Sequence, residues 1–255
     1  MRDTELIAHR GASRDAPENT LAAFRLAWEM GADGIEGDFR LTGDGEIVCL
    51  HDATTGRTAG TDLAVAATPL ARLRELDAGA WKGDAWRGER IPTLREVIAT
   101  IPPGGKLFIE LKGGPEMLPP LAAVLAGSDL DPARVAVFAF SADLIAASRL
   151  MFPRVRRLWI TDYTRNWRRG GWSPSIGQIL RTLYRTGACG LASRAHRSLD
   201  AAFVRALRTA GMELHVWTVD DPRAAARFMA LGVDSIITNR PGWLRSKLHA
   251  TGSPG

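Results

Sequence analysis

The sequence predicts an α/β fold, a closed (β/α)8 barrel of the TIM type with a small insertion after the second strand. Short apolar runs alternate with amphipathic helical stretches along nearly the whole 255-residue chain, a pattern typical of parallel strands joined by helices. Nine runs qualify as strands, one more than a closed barrel needs. The predicted strands are residues 6–8, 34–40, 46–50, 106–111, 135–140, 157–160, 190–193, 213–219 and 235–238.

The surplus strand is the third one in the chain, residues 46–50. Only residues 41–45 separate it from the second strand, which is too few for a crossover helix, and Asp44-Gly45 within them is a turn signal. We therefore expect an antiparallel hairpin, followed by a weakly periodic stretch rich in Gly, Thr, Ala and Trp. The chain is interpreted as one domain over residues 1–248, with the insertion at about residues 41–92 and a flexible tail at residues 249–255.

Several predicted helices have recognisable end signals. The first begins at a capping Asn19 or Thr20 and ends before a glycine. Thr93 and Glu96 have the spacing of a capping box at the start of another helix. Gly232 is expected to end a helix near the end of the chain. These signals define the scaffold and say nothing about function.

The composition restricts the classes of partner. The formal net charge of +5 suits an anionic substrate, and it would also suit nucleic acid or an acidic membrane surface. Arginines such as Arg223 and Arg227 are scattered over predicted helix exteriors, so the clustered basic stripe of a nucleic-acid-binding protein is missing. Charged residues at Arg2, Asp3 and Glu5 replace the apolar region of a signal segment, and no apolar run is long enough to span a bilayer. We expect a cytoplasmic protein that has no membrane anchor and does not bind nucleic acid.

The two cysteines, Cys49 and Cys189, lie in separate apolar stretches. Neither belongs to a Cys-x-x-Cys or Cys/His group, which argues against a disulfide framework and against a structural zinc site. Both are interpreted as core residues.

Ionisable side chains occupy the ends of four predicted strands. In a barrel of parallel strands these carboxyl ends meet on one face, where catalytic groups lie. The residues concerned are His9, Arg10, Glu36, Asp38, His51, Glu110 and Lys112.

The carboxylates in this set favour a metal site. Glu36 and Asp38 are two residues apart on one strand, so their side chains lie on the same face, and Gly37 faces the helices. Together with Glu110 they form an all-oxygen set, which suits Mg²⁺ or Ca²⁺ better than zinc. The alternative is an ion-pair network with neighbouring basic side chains.

The remaining groups match what hydrolysis of a phosphodiester requires. One group must take a proton from the attacking oxygen and another must give one to the leaving alkoxide, and His9 and His51 are candidates for these two roles. Arg10 and Lys112 can donate hydrogen bonds to the non-bridging phosphate oxygens. The residues alone therefore indicate a metal-dependent phosphodiesterase.

At eight places along the chain, short motifs resemble those of the glycerophosphodiester phosphodiesterase family, whose members are TIM barrels. The motifs are His9-Arg-Gly-Ala-Ser13, Pro17-Glu-Asn-Thr20, Gly34-Ile-Glu-Gly-Asp38, Leu50-His-Asp52, Ile91-Pro-Thr-Leu94, Glu110-Leu-Lys112, Val216-Trp-Thr-Val219 and Thr238-Asn-Arg-Pro241. They span the chain from end to end, so the resemblance is far more specific than any single motif.

The resemblance implies a reaction and a role for each site residue. The family hydrolyses glycerophosphodiesters to sn-glycerol 3-phosphate and an alcohol, a step in glycerol and lipid metabolism, with one divalent cation, Mg²⁺ or Ca²⁺. The implied roles are metal binding by Glu36, Asp38 and Glu110, acid–base catalysis by His9 and His51, phosphate binding by Arg10 and Lys112, glycerol contact by Trp217, and support of these groups by Glu18, Asn19 and Asp52.

Two positions depart from the family pattern. Gly37 replaces an aliphatic residue, which we expect to loosen the packing behind the metal site. Asp220 replaces a common asparagine, and the sequence assigns it no functional consequence.

Several questions stay open at this level. They are the head group, the choice between Mg²⁺ and Ca²⁺, which histidine is the base, whether water or the glycerol 2-hydroxyl attacks, and whether the protein is a monomer or a homodimer. Lysophospholipase D activity on the same site is the alternative function. A basic, aromatic loop from Tyr163 to Trp172 is expected to lie on the substrate side of the barrel.

Overall fold

The computed structural model describes residues 4–165 and 171–251. Its strands are β1 (Glu5–His9), β2 (Gly34–Leu41), β3 (Ile47–Cys49), β4 (Lys106–Leu111), β5 (Val135–Ala139), β6 (Arg156–Thr161), β7 (Thr164–Arg165), β8 (Trp172–Ser173), β9 (Gly190–Arg194), β10 (Glu213–Trp217) and β11 (Ser235–Thr238). Its α-helices are α1 (Leu21–Glu29), α2 (Gly56–Ala59), α3 (Leu70–Leu73), α4 (Leu94–Ile98), α5 (Leu118–Ala126), α6 (Ala142–Met151), α7 (Ile176–Thr186), α8 (Ala201–Thr209), α9 (Pro222–Leu231) and α10 (Pro241–Thr251).

Eight of the strands close into a parallel barrel. The order around it is β1, β11, β10, β9, β6, β5, β4 and β2, and β2 pairs with β1 to complete the ring. The remaining strand of this sheet, β3, pairs antiparallel with the end of β2, where Phe39 lies opposite Cys49. The predicted (β/α)8 barrel and the surplus hairpin strand are therefore confirmed.

The barrel interior is filled by apolar side chains from alternating strand positions. Ile7 of β1 and Phe108 of β4 belong to this interior cluster and are fully buried. Because side chains two residues apart on a strand share a face, His9 and Glu110 point to the same side as these two residues. Gly34 provides the space for Ile7, since a Cβ atom at this position would lie 2.8 Å from its Cδ1 atom. The site residues are thus placed directly above the packed interior.

The helices surround the barrel and begin where the sequence predicts. Thr20 caps α1 by accepting a hydrogen bond from the backbone N–H of Ala23. Thr93 and Glu96 form the predicted capping box of α4, and Gly232 ends α9 in the left-handed conformation. A layer of buried apolar residues between the strands and the helices makes the main core.

The insertion has a small core of its own. Val48, Leu50, Val65 and Leu73 are buried in it together with three neighbours, and its secondary structure consists of β3 and short helical turns. These short elements explain the weak periodicity of the sequence here.

The end of the chain differs from the prediction. Helix α10 runs to Thr251, so residues 249–251 of the expected flexible tail are helical, and residues 252–255 lie outside the described residues. Among the residues described, no helix combines the length and apolar character needed to cross a membrane.

Candidate active site

Three buried carboxylates lie at the carboxyl ends of β2 and β4. The two strands are neighbours, and their register places Asp38 opposite Glu110. Glu36, Asp38 and Glu110 each have a carboxylate oxygen within 4.8 Å of the others. The Glu36 Oε1 atom is buried and has no hydrogen-bond partner among the described residues. The structure thus brings together all three predicted metal ligands.

Burial and mutual repulsion give these carboxyl groups different charges. Burial raises the pKa of Glu36 to about 8, and the charge of Asp38 contributes to this rise. The same two causes raise the pKa of Glu110 to about 7. Burial would also raise the pKa of Asp38, but the charges of Arg10 and Lys112 outweigh it and lower that pKa. Asp38 is therefore ionised near neutral pH, whereas Glu36 is mostly protonated and Glu110 is partly protonated unless a cation replaces the protons.

Arg10 lies over the carboxylates in an uncommon backbone conformation. Its φ angle is +55°, which is in the left-handed region that costs a non-glycine residue on the order of 1–2 kcal/mol. Its backbone N–H donates to Glu36 Oε2 at 2.8 Å, and its Nε atom lies 3.0 Å from Asp38 Oδ2. Its Nη1 atom donates to Glu18 Oε1 at 2.9 Å. Both the backbone and the side chain of Arg10 are thereby fixed at the site.

Lys112 contacts the carboxylates from the end of β4. Its Nζ atom lies 3.1 Å from Asp38 Oδ1 and also forms an ion pair with Glu110. Burial lowers the pKa of Lys112, but these two charges outweigh burial and raise it. Lys112 is therefore a permanent cation beside the cavity.

The two histidines reach the site from different elements and have different Nδ1 partners. His9 ends β1, and its Nδ1 atom lies 2.7 Å from Asn239 Oδ1, while its Nε2 atom lies 3.9 Å from Glu36 Oε2. Burial and the charge of Arg10 lower the pKa of His9. His51 follows β3, and its Nδ1 atom lies 2.6 Å from Asp52 Oδ1.

An ion-pair network joins the insertion to the loop after β1. Asp52 Oδ2 accepts a hydrogen bond from Arg57 Nε at 2.5 Å, and the two Nη atoms of Arg57 donate to Glu18 at 3.0 and 2.7 Å. Burial would raise the pKa of Asp52, but hydrogen bonds from Arg57 and His51 outweigh it and lower the pKa to about 2. The network therefore connects His51 with Glu18, the carboxylate that Arg10 contacts.

Asn19 fixes the central carboxylate. Its Nδ2 atom donates to Asp38 Oδ2 at 2.9 Å, and its Oδ1 atom accepts from the Asp38 backbone N–H at 3.2 Å. Gly37 lies behind this pair, where a Cβ atom would be 3.0 Å from Cys49 Sγ and 3.2 Å from Phe24. The expectation of loose packing at Gly37 is therefore wrong, because neighbouring side chains already fill the space that an aliphatic residue would need.

Arg40 connects the two strand ends that hold His51 and Lys112. Its Nε and Nη2 atoms donate to the His51 carbonyl oxygen at 3.0 and 2.6 Å, and its Nη1 atom donates to the Lys112 carbonyl oxygen at 2.8 Å. Sequence reasoning assigned no such position to Arg40, since a backbone contact between two distant segments leaves no pattern in the sequence.

The site surrounds a cavity of about 210 Å³. One side of the cavity is charged and the other is aromatic and aliphatic. The lining residues are His9, Arg10, Glu36, His51, Glu110, Lys112, Phe138, Phe140, Trp217, Thr218 and Ile237. Trp217 packs edge to face against Phe140 with ring centroids 5.9 Å apart, and its Nε1 atom donates to the Ala192 carbonyl oxygen at 3.2 Å. The predicted substrate-binding tryptophan is thus held at the wall of the cavity.

The aromatic loop predicted from Tyr163 to Trp172 is described only in part, because residues 166–170 lie outside the described residues. Its two ends pair as the short strands β7 and β8. The Tyr163 hydroxyl is hydrogen-bonded to Ser193 at 2.9 Å, and its ring stacks on His196. The described part of the loop is not among the cavity-lining residues.

Sequence reasoning missed Asn239 and Arg57 as contacts of the site. Asn239 lies in the last family-like motif, and this position was the only available signal. Arg57 lies in the weakly periodic insertion, where no pattern marks it. Asp220 received no role, although it binds Asn239 through two hydrogen bonds.

Comparison with known proteins agrees with this geometry. The family model described as "Glycerophosphoryl diester phosphodiesterase family" matches residues 9–243. The protein YhdW of Bacillus subtilis is 35% identical over 243 residues, which cover 94% of this chain and 96% of that protein. A glycerophosphodiester phosphodiesterase of Caldanaerobacter subterraneus subsp. tengcongensis is 33% identical over 258 residues, with coverage of 93% and 95%.

Solved structures give the same result. A phosphodiesterase of Oleispira antarctica, solved in complex with the product sn-glycerol-3-phosphate, superposes with a TM-score of 0.84 at 29% identity. The match covers 97% of each chain. The chain therefore belongs to the glycerophosphoryl diester phosphodiesterase family and is a phosphodiester hydrolase of that class.

Proposed function

We propose that this protein hydrolyses glycerophosphodiesters, such as glycerophosphocholine or glycerophosphoethanolamine, to sn-glycerol 3-phosphate and an alcohol, and that it needs one divalent cation, Mg²⁺ or Ca²⁺. The observation that carries the proposal is the group of three buried carboxylates beside two histidines around one small cavity. The product of the Oleispira antarctica relative, sn-glycerol-3-phosphate, supports the choice of substrate class.

The carboxylates fit a divalent cation. Their oxygens are within 4.8 Å of one another, and Glu36 Oε1 is a buried acceptor without a hydrogen-bond partner among the described residues. Without a cation, Glu36 would be mostly protonated and Glu110 partly protonated near neutral pH, because their pKa values are raised to about 8 and about 7. Oxygen-only ligands suit Mg²⁺ or Ca²⁺. When bound, such an ion would neutralise negative charge on the phosphate and on the attacking group.

The side chains of this protein supply the rest of the chemistry. Arg10 and Lys112 line the cavity next to the carboxylates, and we assign them to the non-bridging phosphate oxygens, where their hydrogen bonds strengthen as charge builds on phosphorus. His9 and His51 line the same cavity and exchange protons with the attacking and leaving oxygens. Trp217 offers an apolar surface to the glycerol carbon atoms.

The insertion contributes directly to this site. His51, Asp52 and Arg57 all belong to it, and Arg40 attaches it to the end of β4. We infer that barrel and insertion function as one domain, because neither provides both histidines alone.

The size of the cavity favours a small substrate over a lysophospholipid. A volume of about 210 Å³ lies below the roughly 300–1,000 Å³ of pockets that enclose drug-sized ligands. The described lining residues hold a phosphate with a short polyol more readily than a long acyl chain.

The test is an assay of several phosphodiesters with added Mg²⁺ or Ca²⁺. It compares glycerophosphocholine, glycerophosphoethanolamine, a long-chain lysophosphatidylcholine and the synthetic diester bis(p-nitrophenyl) phosphate. We expect release of glycerol 3-phosphate from the first two at the highest kcat/KM. Faster release of choline from the lysolipid would favour lysophospholipase D, and cleavage of only the synthetic diester would contradict the proposal.

The same assay addresses the attacking group. If the glycerol 2-hydroxyl attacks first, ³¹P spectra recorded during the reaction show a transient cyclic phosphodiester. If water attacks directly, glycerol 3-phosphate is the first phosphorus-containing product.

A further inference from the structure

The side of His9 that faces away from the cavity is held by a neutral amide. Asn239 Oδ1 lies 2.7 Å from His9 Nδ1, and it also accepts a hydrogen bond from Ser13 Oγ at 2.9 Å. Asn239 follows β11, which pairs with β1, so the contact joins two adjacent strand ends of the barrel. Asn239 is not among the residues that line the cavity.

Asp220 determines which way this amide points. Asp220 Oδ2 accepts a hydrogen bond from Asn239 Nδ2 at 2.7 Å. Its Oδ1 atom accepts from the Asn239 backbone N–H and from Thr238 Oγ1, each at 2.8 Å. Since both carboxylate oxygens of Asp220 accept in these contacts, the Asn239 NH2 group faces Asp220 and the amide oxygen faces His9.

The orientation of the amide in turn fixes the proton on His9. A neutral imidazole has one N–H, and its position is set by the partner of the other nitrogen. Because Asn239 Oδ1 can only accept, His9 Nδ1 must donate, which leaves the lone pair on Nε2. The Nε2 atom lies on the side of Glu36, at 3.9 Å from its Oε2 atom.

We propose that Asp220 and Asn239 are positioning residues, which hold His9 in the tautomer whose Nε2 atom accepts a proton from the substrate or from water. This inference rests on the proposed hydrolysis, to which it adds the role of His9 as the proton acceptor of the first step. It also gives a function to Asp220, the position at which this chain departs from the common family asparagine.

The second histidine is held differently. The Nδ1 partner of His51 is the carboxylate of Asp52, at 2.6 Å, and no amide intervenes. The two histidines therefore differ in their Nδ1 partner, which is a neutral amide for His9 and a carboxylate for His51.

The decisive variant is Asp220→Asn. The new amide must keep its oxygen toward the Asn239 backbone N–H, so its NH2 group would face the NH2 group of Asn239. Asn239 then turns over, presents its NH2 group to His9 Nδ1 and forces the proton onto Nε2. A wrong tautomer of this kind lowers kcat by up to about 10⁴-fold in a catalytic triad. We expect kcat to fall at least about 100-fold, with KM changed less than about threefold because neither residue lines the cavity.

A reciprocal exchange provides the rescue. In the double variant Asp220→Asn, Asn239→Asp, the new amide donates to the new carboxylate, which again accepts from His9 Nδ1. We expect it to recover most of the lost kcat. The matched control is Asp221→Asn, which removes the same charge one residue away, where the side chain caps α9 by accepting from the Ala224 N–H. We expect its kcat to stay within about twofold of the parent.

The tautomer can be observed independently of turnover. Protein labelled with ¹⁵N-histidine gives two-bond proton–nitrogen spectra in which the two neutral tautomers differ, and His9→Ala identifies the signals of His9 among the five histidines. We expect the Nδ1–H form in the parent and in the double variant, and the Nε2–H form in Asp220→Asn.

Three results would contradict the positioning role of Asp220 and Asn239. The inference is overturned if Asp220→Asn keeps a parent-like kcat, if the exchange restores nothing, or if the His9 tautomer is the same in all three proteins. Since the spectra need no substrate, they decide the inference even if glycerophosphodiesters prove not to be hydrolysed.

Discussion

Glu36 is the residue whose surroundings indicate a bound cation most directly. Its side chain is 1% exposed, one of its oxygens accepts from the Arg10 N–H, and the other has no hydrogen-bond partner among the described residues. An unsatisfied buried acceptor costs about 1–3 kcal/mol. A cation coordinated by this oxygen would remove this cost, which would explain why the protein keeps an unsatisfied acceptor here.

Replacement of either histidine is expected to stop turnover while the fold remains intact. General acid–base groups contribute about 10²–10⁴-fold to rate, so His9→Ala and His51→Ala should each lower kcat by at least about 100-fold. Circular dichroism and thermal unfolding are the controls for folding. If either variant keeps a near-normal kcat, that histidine is removed from the acid–base mechanism.

At this scale the sequence predicts where the charged residues lie, but it identifies only some of the residues that support them. His9 and Glu110 were identifiable because they end apolar strands, and the side-chain period of a strand places them above Ile7 and Phe108. The amide orientation of Asn239 depends instead on a carboxylate 19 residues away in the sequence. No local pattern encodes such a contact, so only the structure shows it.

At the scale of elements, two of the contacts between the insertion and the barrel lie at the site itself. Arg40 contacts the carbonyl oxygens that follow β3 and end β4, and Arg57 contacts Glu18 in the loop after β1. Both attachments lie next to His51, because Arg40 contacts its carbonyl oxygen and Arg57 contacts Asp52, the partner of its ring. We therefore expect weakening of these contacts to affect catalysis as well as global stability.

Arg40→Met is the variant that tests the first attachment. It keeps much of the length of the side chain but removes three hydrogen bonds to backbone carbonyl oxygens. We expect a loss of about 1–3 kcal/mol in the free energy of unfolding and a fall in kcat of at least tenfold, because His51 and Lys112 lose a shared anchor. The measurements are urea unfolding and steady-state kinetics.

The matched control for this variant is Arg72→Met. Arg72 is exposed in the insertion, and its ion-pair partner among the described residues is Glu75, three residues along the chain. The Arg72→Met substitution should change the free energy of unfolding by less than about 0.5 kcal/mol and leave kcat unchanged. Equal effects of the two substitutions on kcat would refute the anchoring role of Arg40.

Arg57→Gln tests the second attachment through its pH dependence. Asp52 has a pKa of about 2 in the folded protein, against a usual value of 3.8. A lowered pKa stabilises the fold above the usual value, and this stabilisation disappears as the pH falls through the folded pKa. Near pH 6 the free energy of unfolding of the parent should exceed that of Arg57→Gln by about 0.5–1 kcal/mol, a small value because both side chains are partly exposed to solvent. This difference should shrink as the pH approaches 2.

Urea unfolding of both proteins between pH 6 and pH 3 measures this difference. A difference that grows toward acid pH would show that Arg57 does not lower the pKa of Asp52.

The overall fold of the molecule follows from the alternation of strands and helices, and this alternation is visible in the sequence. Eight parallel strands, the hairpin and the main caps were all predictable, because each depends on local periodicity or on an end signal. The short helical turns of the insertion and the strands β7 and β8 were not predictable. They contain two to four residues each, which is too few to establish a period.

The barrel also explains why distant motifs form one site. The motifs at residues 9–13, 34–38, 50–52 and 110–112 lie at neighbouring strand ends, and the strand order brings β1, β2, β3 and β4 together. A single cavity therefore receives histidine, cationic and carboxylate side chains from four segments. This convergence is the physical basis of the proposed metal-dependent hydrolysis.

The most direct test of that claim is the release of glycerol 3-phosphate from glycerophosphocholine before EDTA treatment, after it, and after re-addition of Mg²⁺ or Ca²⁺. The parent and Glu36→Gln are compared at equal concentration. We expect EDTA to abolish release, the added ion to restore it in the parent, and Glu36→Gln to stay inactive throughout. An unchanged rate of release in EDTA would contradict the account.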